Sequence, residues 1–404
     1  AVETSQGNAG QQIDLDTDFA VTVTDTGSVA ATTLTTLDGN VGGTVNANTV
    51  GTLTGTAAAI AAAATADTNG TLVLKADFGA TVDAGAVNAS DLNTISGRTT
   101  ATIDATGATA INGSAADVAT ALADTEISHT STFDVTLTAT SAAATALTAI
   151  DTATTKVVDG NLVTTVTGTA AEIAAAATLD ANGTTTLKVD FGATVDAGAV
   201  NASDLNTISA RTTATIDATG ATAINGTATE VSDALADTQI DHDDNFLVTL
   251  TADSTATAAE LIAIDAATTQ SVTATGVTTI TGSITDINAI LAVETSQGNA
   301  GQQIDLDTDF AVTVTDTGTV AATTLSLVDA AIPGTVTATN IGTVTGTGSE
   351  IASLATAITN GSIVLKSDFG VTVNAGVSVS AADLNTISAK TTATIDALGS
   401  TAIN

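Results

Sequence analysis

The chain has no cysteine, methionine, tryptophan or tyrosine, and it has only one proline and seven phenylalanines among its 404 residues. The lack of cysteine excludes disulfides, thiolate metal sites and cysteine nucleophiles. It suits a secreted chain that is stabilised by something other than disulfide bonds. The composition is therefore unlike that of a typical enzyme.

Positive charge is also scarce, with 7 basic against 43 acidic residues and a net charge of −36. Nucleic-acid binding needs clustered Lys and Arg to displace counterions, so it is excluded, as is adhesion to an anionic membrane. Nearly all the acids are Asp, which favours turns, helix caps and cation sites over helix interiors. At 44% hydrophobic the chain is too apolar and too strongly patterned to be disordered.

Long hydrophobic runs are missing as well. The longest, AAAIAAAA at 57–64, is far too short for a membrane span, which predicts no membrane insertion. The opening AVETSQGNAG lacks the basic start and apolar core of a signal peptide. We expect a chain that begins after a processed segment or that is a piece of something longer.

What the chain has in abundance is repetition. Residues 1–27 recur unchanged at 292–318, and residues 77–113 match 190–226 except for Gly97 against Ala210. A weaker third copy of the second block spans 368–404. We predict one continuous array over 1–404, in which 1–291 is a full super-repeat and 292–404 begins a second one.

A shorter unit underlies both periods. Ser, Thr or Asn followed three residues later by Asp or Glu, and then by an Ala-rich run, is the pattern of a capped helix start. Alternating Thr and Val between these runs, punctuated by Gly, Asp and Asn, predict short strands and turns. Thirteen helix starts follow at spacings of 26 to 36 residues, at Ser28, Thr56, Asn88, Ser114, Ser141, Thr169, Asn201, Thr227, Thr257, Ser283, Thr319, Thr347 and Ser380.

A unit this small cannot bury a core alone and must stack on its neighbours. The predicted fold is a repeat protein, a β-solenoid with a short helix in each coil (an α/β solenoid) of about thirteen coils. Each coil would run strand, turn, strand, helix. The alternative is a string of small α/β domains, against which the lack of linkers argues.

The rare residues obey the repeat. Six of the seven phenylalanines form repeat-related pairs, which predicts a role in the core and not an aromatic binding surface. Lys75 and its equivalents each precede an Asp by two residues, which predicts a local charge pair on one strand face, as for Lys75 and Asp77. His129 and His242 are also repeat partners, and as the only two histidines they exclude a three-histidine metal site. Each is taken as a solvated loop residue, with a metal ligand as the alternative.

Acidic loops are the sharpest functional signal. IDLDTDF occurs at 13–19 and 304–310, and IDHDDNF occurs at 240–246. Alternating carboxylates in a turn can converge on a hard cation, and calcium takes oxygen ligands alone. The loops are incomplete as EF-hands, and a solvated acidic turn is the standing alternative. The candidate calcium ligands are Asp14, Asp16, Asp18, Asp241, Asp243, Asp244, Asp305, Asp307 and Asp309.

Catalysis has little support, because catalytic sites are singular and nearly every notable residue here is periodic. We predict that the protein is not an enzyme and holds no organic cofactor. Rows of Thr in patterns such as TVTVT suggest ice binding as a lesser alternative, although any solenoid would show them.

Segments such as VTVTDTGSVAATTLTTLDG and ATIDATGATAINGSAADVATALAD resemble the very large, secreted β-strand-repeat proteins of bacteria, notably of cyanobacteria. The resemblance implies an exported adhesin, surface-layer component or fibre subunit, often associated with calcium. The nonapeptide GGxGxD calcium repeat of related exported proteins is absent.

We therefore predict an extracellular or cell-surface structural protein. Its rod would self-associate into a filament, sheath or surface layer that calcium stabilises, with a cell-surface polysaccharide as a further partner. The rival prediction is an adhesin stalk that displays a binding tip absent from this chain.

Overall fold

The computed structural model describes residues 18–251, 255–294 and 304–404. Over these ranges the chain is an α/β repeat protein with thirteen helices, and every pairing between its strands is parallel. It forms two compact units, of which the first extends to Thr194 and includes Ala210–Thr215. The second comprises Val195–Ser209 and Ile216–Asn404.

The first unit holds six helices and the strands between them. Its helices are α1 (Ala31–Asp38), α2 (Ala57–Asn69), α3 (Ala89–Ser96), α4 (Ala115–Ala123), α5 (Ala144–Ala153) and α6 (Ala170–Asn182). Its strands are β1 (Val21–Thr22), β2 (Ser28–Ala30), β3 (Val45–Ala47), β4 (Thr52–Gly55), β5 (Leu72–Leu74), β6 (Gly79–Val82), β7 (Gly85–Asn88), β8 (Ile103–Asp104), β9 (Ala108–Asn112), β10 (Ile127–Ser128), β11 (Val135–Thr136), β12 (Ser141–Ala143), β13 (Val158–Gly160), β14 (Thr165–Gly168), β15 (Thr185–Leu187) and β16 (Gly192–Val195).

The second unit holds the remaining seven helices. They are α7 (Ala202–Ser209), α8 (Ala228–Ala236), α9 (Ala258–Ala267), α10 (Ile284–Glu294), α11 (Ala322–Ala331), α12 (Gly348–Asn360) and α13 (Ala381–Ser388). The strands are β17 (Gly198–Asn201), β18 (Ile216–Asp217), β19 (Ala221–Gly226), β20 (Ile240–Asp241), β21 (Leu247–Leu250), β22 (Thr255–Thr257), β23 (Val272–Ala274), β24 (Thr279–Gly282), β25 (Ile304–Leu306), β26 (Ala311–Val314), β27 (Thr319–Ala321), β28 (Val336–Thr337), β29 (Thr343–Gly346), β30 (Ile363–Val364), β31 (Gly370–Val373), β32 (Ser378–Val379), β33 (Ile395–Asp396) and β34 (Ala402–Ile403).

Strands pair with the second strand along the chain, not with the next. In the first unit β2, β4, β6, β8 and β10 form one parallel sheet in that order. In the second unit β17, β19, β21, β23 and β25 form another, and β22, β24, β26, β28 and β30 a third. Within each unit, successive helices also contact one another, from α1 to α6 and from α7 to α13. Each repeat therefore contacts its neighbours through both its strands and its helix.

A coil is here one helix together with the strands that separate it from the preceding helix. Coils with two strands alternate with coils with three: β3 and β4 precede α2, whereas β5, β6 and β7 precede α3. The sequence predicted two strands in every coil, which is wrong for every second coil. The extra strands, such as β5 and β10, are only two or three residues long, too short to show a period in sequence.

All thirteen predicted helix starts lie within three residues of an observed one, at spacings that reach 38 residues between α10 and α11. Thr169, Thr227, Thr257 and Thr347 close full capping boxes with a Glu at the third helical position. Where Asp takes that place, as at Asp117, the hydroxyl of the N-cap residue accepts a hydrogen bond from the Asp amide. The return bond from the Asp carboxylate to the N-cap amide is not formed, so there is no capping box. The shorter side chain of Asp accounts for the difference.

The core lies between the helices and the strands and is built from small and branched residues. Inward strand positions alternate with outward ones, as in Leu72–Leu74, where both leucines are buried and Val73 is exposed. The 13-residue helix α2 ends at Gly70, whose φ of +81° terminates the helix in the left-handed region that glycine adopts without strain. Alanines on the inner helix faces, such as Ala63 and Ala64, let each helix approach the strands closely.

Candidate functional site

The acidic loops connect the first and second strands of three-strand coils. One runs from β20 to β21: Asp241 is the last residue of β20, and Asp243 and Asp244 lie in the connection. Another runs from β25 to β26: Asp305 lies within β25, and Asp307 and Asp309 follow it. Each ends in a buried phenylalanine, Phe246 or Phe310, at the base of the next strand. Asp18 is exposed in the corresponding position before Phe19, while the predicted ligands Asp14 and Asp16 lie outside the described residues.

In the 240–246 loop the backbone, and not the carboxylates, makes the contacts. The Asp244 carbonyl oxygen accepts bonds from the amide and hydroxyl of Thr269, at 2.7 and 2.9 Å. His242 Nδ1 lies 2.9 Å from the Asp243 carbonyl oxygen, and its ring meets Phe246 edge-on with centroids 5.4 Å apart. The three aspartate side chains are exposed.

In the described ranges no three acidic or histidine side chains lie close enough together to hold a metal ion. Within the 304–310 loop the nearest approach to a cluster is the Asp309 amide, 3.4 Å from Asp307 Oδ1. Asp241 pairs in register with Asp217 on the neighbouring strand, which places two carboxylates side by side. Calcium at these loops stays a prediction, and it would require the exposed carboxylates to converge around the ion.

Many other aspartates act as local hydrogen-bond acceptors. At the ends of β8, β18 and β33, and in the middle of β13, an Asp Oδ1 accepts a hydrogen bond from the amide two residues later, at 3.1 to 3.2 Å. At Asp104 the hydroxyl of Thr106 bonds the same oxygen at 2.6 Å, and these two bonds hold the pKa of Asp104 below its usual value. Much of the aspartate surplus is thus explained by turns and caps.

The backbone carbonyl groups of the phenylalanines take part in a contact between coils that was not predicted from the sequence. Phe78, Phe133, Phe191, Phe246, Phe310 and Phe369 are buried, as predicted, whereas Phe19 is half-buried. A buried Thr 21 or 22 residues later donates its hydroxyl to the Phe carbonyl oxygen; Thr154 lies 2.7 Å from that of Phe133. Among the described residues the Phe and Thr pairs are Phe78 with Thr99, Phe133 with Thr154, Phe191 with Thr212, Phe246 with Thr268 and Phe369 with Thr391.

Within the residues that the structure describes, the carbonyl oxygen of Phe310 has no Thr hydroxyl as a partner. Its coil has Ile332 and Gly334 in place of the Thr turn, and the backbone of Gly334 approaches the Phe310 carbonyl directly. A Cβ on Gly334 would overlap that oxygen. The fixed interval after each Phe was visible in the sequence, but the run of other Thr residues concealed it.

Ion pairs are of two kinds. Lys75 and Asp77 pair at 3.1 Å, which confirms the predicted charge pair, although both lie in an exposed turn and not on a strand. Arg98 instead reaches back 31 residues to Asp67 on α2, whose side chain is only 6% exposed. Asp67 also accepts the amide of Leu74 at 2.9 Å, so it ties the end of α2 both to β5 and to the segment that follows α3.

The Arg and Asp pair recurs in the second copy of the repeat, and both of its residues are replaced in the third copy. Arg211 pairs with Asp180 in the same way, beside a cavity of about 270 Å³. In the third copy Lys390 replaces the arginine and Ile358 replaces the aspartate. The joint loss favours a structural role over a catalytic one.

A wider open groove, of about 590 Å³, runs between α5 and α6. Thr145, Thr148 and Thr152 line one side, and Ala175 and Glu172 lie on the other. The Glu172 carboxylate accepts the amide of Thr169 at 2.9 Å as part of its capping box. The groove therefore presents hydroxyls and methyl groups but no free reactive group.

No protein-family model, no curated protein and no solved structure matches the chain. In the described part of the chain no helix is long and apolar enough to span a membrane.

Proposed function

We propose that the chain is an extracellular structural protein, a β-solenoid with a helix in each coil, whose rod assembles into a cell-surface filament, sheath or surface layer. One observation carries the proposal: the residues that stand out in the sequence join one coil to another. The phenylalanine carbonyls bind a Thr of a later coil, and Arg98 and Arg211 bind the helix of an earlier one. A repeat protein depends for its stability on such contacts between neighbours.

These contacts take the place of covalent crosslinks. A chain without cysteine has no disulfide to hold long loops together. Here a hydroxyl from a buried Thr and a guanidinium from a half-exposed Arg each fix a coil to an earlier one. Because they recur along the sequence, stability does not depend on any single site, which suits an extended structural element.

The acidic loops belong to the same proposal as calcium sites. Asp241, Asp243 and Asp244 are exposed and form no ion pair with any described residue, and the whole chain carries a net charge of −36. Like charges along one molecule repel each other, and bound divalent cations lower that repulsion. Calcium would therefore favour assembly as well as folding of the loops.

Electron microscopy of the purified chain tests the assembly. Samples in millimolar calcium and in excess chelator are compared with the variant Asp241→Asn/Asp243→Asn/Asp244→Asn. Ordered fibres or sheets in calcium support the proposal. Dispersed monomers under every condition would overturn it and favour a stalk that only displays a tip.

Calcium binding is measured separately, by calorimetric titration and by the melting temperature of the wild type and the triple variant. We expect heat and a raised melting temperature in the wild type, reduced in the variant. Neither signal in the wild type would remove calcium from the proposal without affecting the assembly result.

Ice binding is a second candidate, and one row of side chains favours it. Thr257, Thr281, Thr313 and Thr337 lie in register on four adjacent parallel strands, about 4.8 Å apart. The corresponding row in the β2 sheet reads Ala, Thr, Thr, Asp and Ser, so the pattern is not uniform. Thermal hysteresis of a purified solution is the test, and its absence would dismiss this candidate.

A further inference from the structure

At the ends of alternate helices a carboxylate meets a hydroxyl, and the side that supplies the carboxylate changes from one pair of coils to the next. We call this arrangement the polarity of the pair. The eighth residue of α1, α5 and α11 is Asp, namely Asp38, Asp151 and Asp329. The eighth residue of α3 and of α7 is Ser, namely Ser96 and Ser209. Each of these side chains meets a residue that follows the next helix along the chain, and we call the five contacts the helix-end pairs.

In the first kind of helix-end pair the helix supplies the carboxylate. The Thr71 hydroxyl donates to Asp38 at 3.0 Å, and the Thr185 hydroxyl donates to Asp151 at the same distance. A third pair joins the Ser362 hydroxyl to Asp329 at 3.1 Å.

In the second kind the helix supplies the hydroxyl. Ser96 donates to Asp124, and Ser209 donates to Asp237. The second oxygen of each Asp accepts a backbone amide at 2.9 Å, which fixes the carboxylate in place. All five pairs in the described residues thus hold one carboxylate and one hydroxyl, never two of a kind.

The carboxylates of the helix-end pairs are partly buried, so the group that faces them affects stability. Oδ1 of Asp38 and of Asp329 is buried and has no hydrogen-bond partner. A second carboxylate facing such a group would add like-charge repulsion in a place that water reaches poorly. An Asp-ended helix therefore accepts a coil that offers a hydroxyl and rejects a coil that offers an acid.

We propose that the helix-end pairs decide which coil can stack on which, both within the chain and between two copies of it. A slip by one coil is opposed by the alternation of two and three strands. A slip by two coils keeps the strand number, but it would place Asp38 opposite Asp124. A slip by four coils, the 113-residue period that separates Asp38 from Asp151 and Ser96 from Ser209, restores the pairings from α1 to α7. Between α7 and α11 the same slip exchanges Ser209 for Asp329 and does not restore the pairing.

The alternation is broken at one place, which gives the proposal a built-in check. The helices α9 and α11 are both Asp-ended, through Asp265 and Asp329, although they are two coils apart. A two-coil slip there meets no reversal of polarity. Wrong pairings of the wild-type chain by two coils should therefore concentrate around these two helices.

The first experiment is a double-mutant cycle on the full chain. Ser209→Asp creates two facing carboxylates and should lower the melting temperature by several degrees. Ser203→Asp, which adds the same charge to an exposed position of the same helix, should not lower it. The double variant Ser209→Asp/Asp237→Thr reverses the polarity and should recover most of the loss. A double variant no more stable than the sum of its single changes would overturn the proposal.

The second experiment separates recognition from simple stabilisation. A second variant carries Ser96→Asp/Asp124→Thr/Ser209→Asp/Asp237→Thr. It keeps all five helix-end pairs, but in every one of them the helix now supplies the carboxylate and the later residue supplies the hydroxyl. After refolding from denaturant at high concentration we expect a several-fold rise in misfolded species and in dimers that exchange coils, measured by size-exclusion chromatography. In the misfolded species, hydrogen exchange should be altered in other coils as well as in those of α9 and α11. Refolding indistinguishable from that of the wild type would show that the pairs only stabilise.

Discussion

Replacing Thr99 with valine is the most direct way to test whether the Phe and Thr contacts hold the coils together. The Thr99 side chain is 4% exposed, and its hydroxyl donates to the Phe78 carbonyl oxygen at 2.5 Å. The Thr99 hydroxyl oxygen in turn accepts a hydrogen bond from the amide of Ala101 at 3.1 Å. Valine has nearly the same shape, so the change removes both bonds without leaving a large cavity.

The magnitude follows from the two backbone groups that lose their partner. A buried donor or acceptor left unsatisfied costs about 1 to 3 kcal/mol. Two such groups, less the small gain from burying a methyl in place of a hydroxyl, give a loss of about 2 to 4 kcal/mol in the free energy of unfolding. The neighbouring Thr100 is exposed, so Thr100→Val should change it by less than about 0.5 kcal/mol.

Native-state hydrogen exchange is the most direct assay, because a repeat protein can open in parts and exchange reports the opening of each part separately. Thr99→Val should accelerate exchange at Ala101 and in the strands β6 and β8, and Thr212→Val should do the same in the second copy of the block. A Thr99→Val chain that exchanges like Thr100→Val would refute the assignment of the Thr as a contact between coils.

Three further predictions concern single groups. Glu172→Ala removes the bond to the Thr169 amide and should cost about 0.5 to 1.5 kcal/mol by urea denaturation. Burial raises the pKa of Asp265, so its ionisation opposes folding: stability gained from this group appears as the pH falls through the raised pKa and is absent at neutral pH. Asp265→Asn should therefore be at least as stable as the wild type at pH 7 and should lose that rise on acidification. Gly334→Ala should lower the melting temperature by several degrees, because the new Cβ would overlap the Phe310 carbonyl oxygen.

Each of these has a clear contrary result. An unchanged urea midpoint for the Glu172 variant would show that the capping box adds nothing beyond the Thr169 hydroxyl. A loss of stability at pH 7 for Asp265→Asn would mean that the carboxylate is stabilising as an ion. A Gly334→Ala chain that melts like the wild type, beside a Gly70→Ala chain that is destabilised through its positive φ, would place the tight contact elsewhere.

The sequence predicted the elements far better than their contacts. Helix starts were found because a capping residue and an Ala-rich run are local signals, as at Thr169 and Ser114. The two-residue strand β10 carries no local signal, and it exists only because Ile127 and Ser128 pair with Ile103 and Asp104 on the neighbouring strand.

The candidate site was harder to predict, for the same reason. Asp67 is an ordinary helix residue until Arg98, 31 residues later, is brought beside it. The acidic loops stood out because their acids are adjacent in sequence, yet Asp241 and Asp244 remain exposed in the structure. Adjacent charges attract notice in a sequence, whereas the pairs that join coils are separated by a whole repeat.

The reversal of polarity at the helix ends has a consequence for inheritance. Residues 77–113 and 190–226 are nearly identical, so the DNA that encodes them is a ready substrate for unequal recombination. Exchange between these blocks would add or remove 113 residues at a time, and Asp38 or Ser96 would still meet a partner of the right kind. Exchange over half that distance would bring acids together. Natural variants that arise by exchange between these two blocks should therefore differ in length by whole steps of four coils.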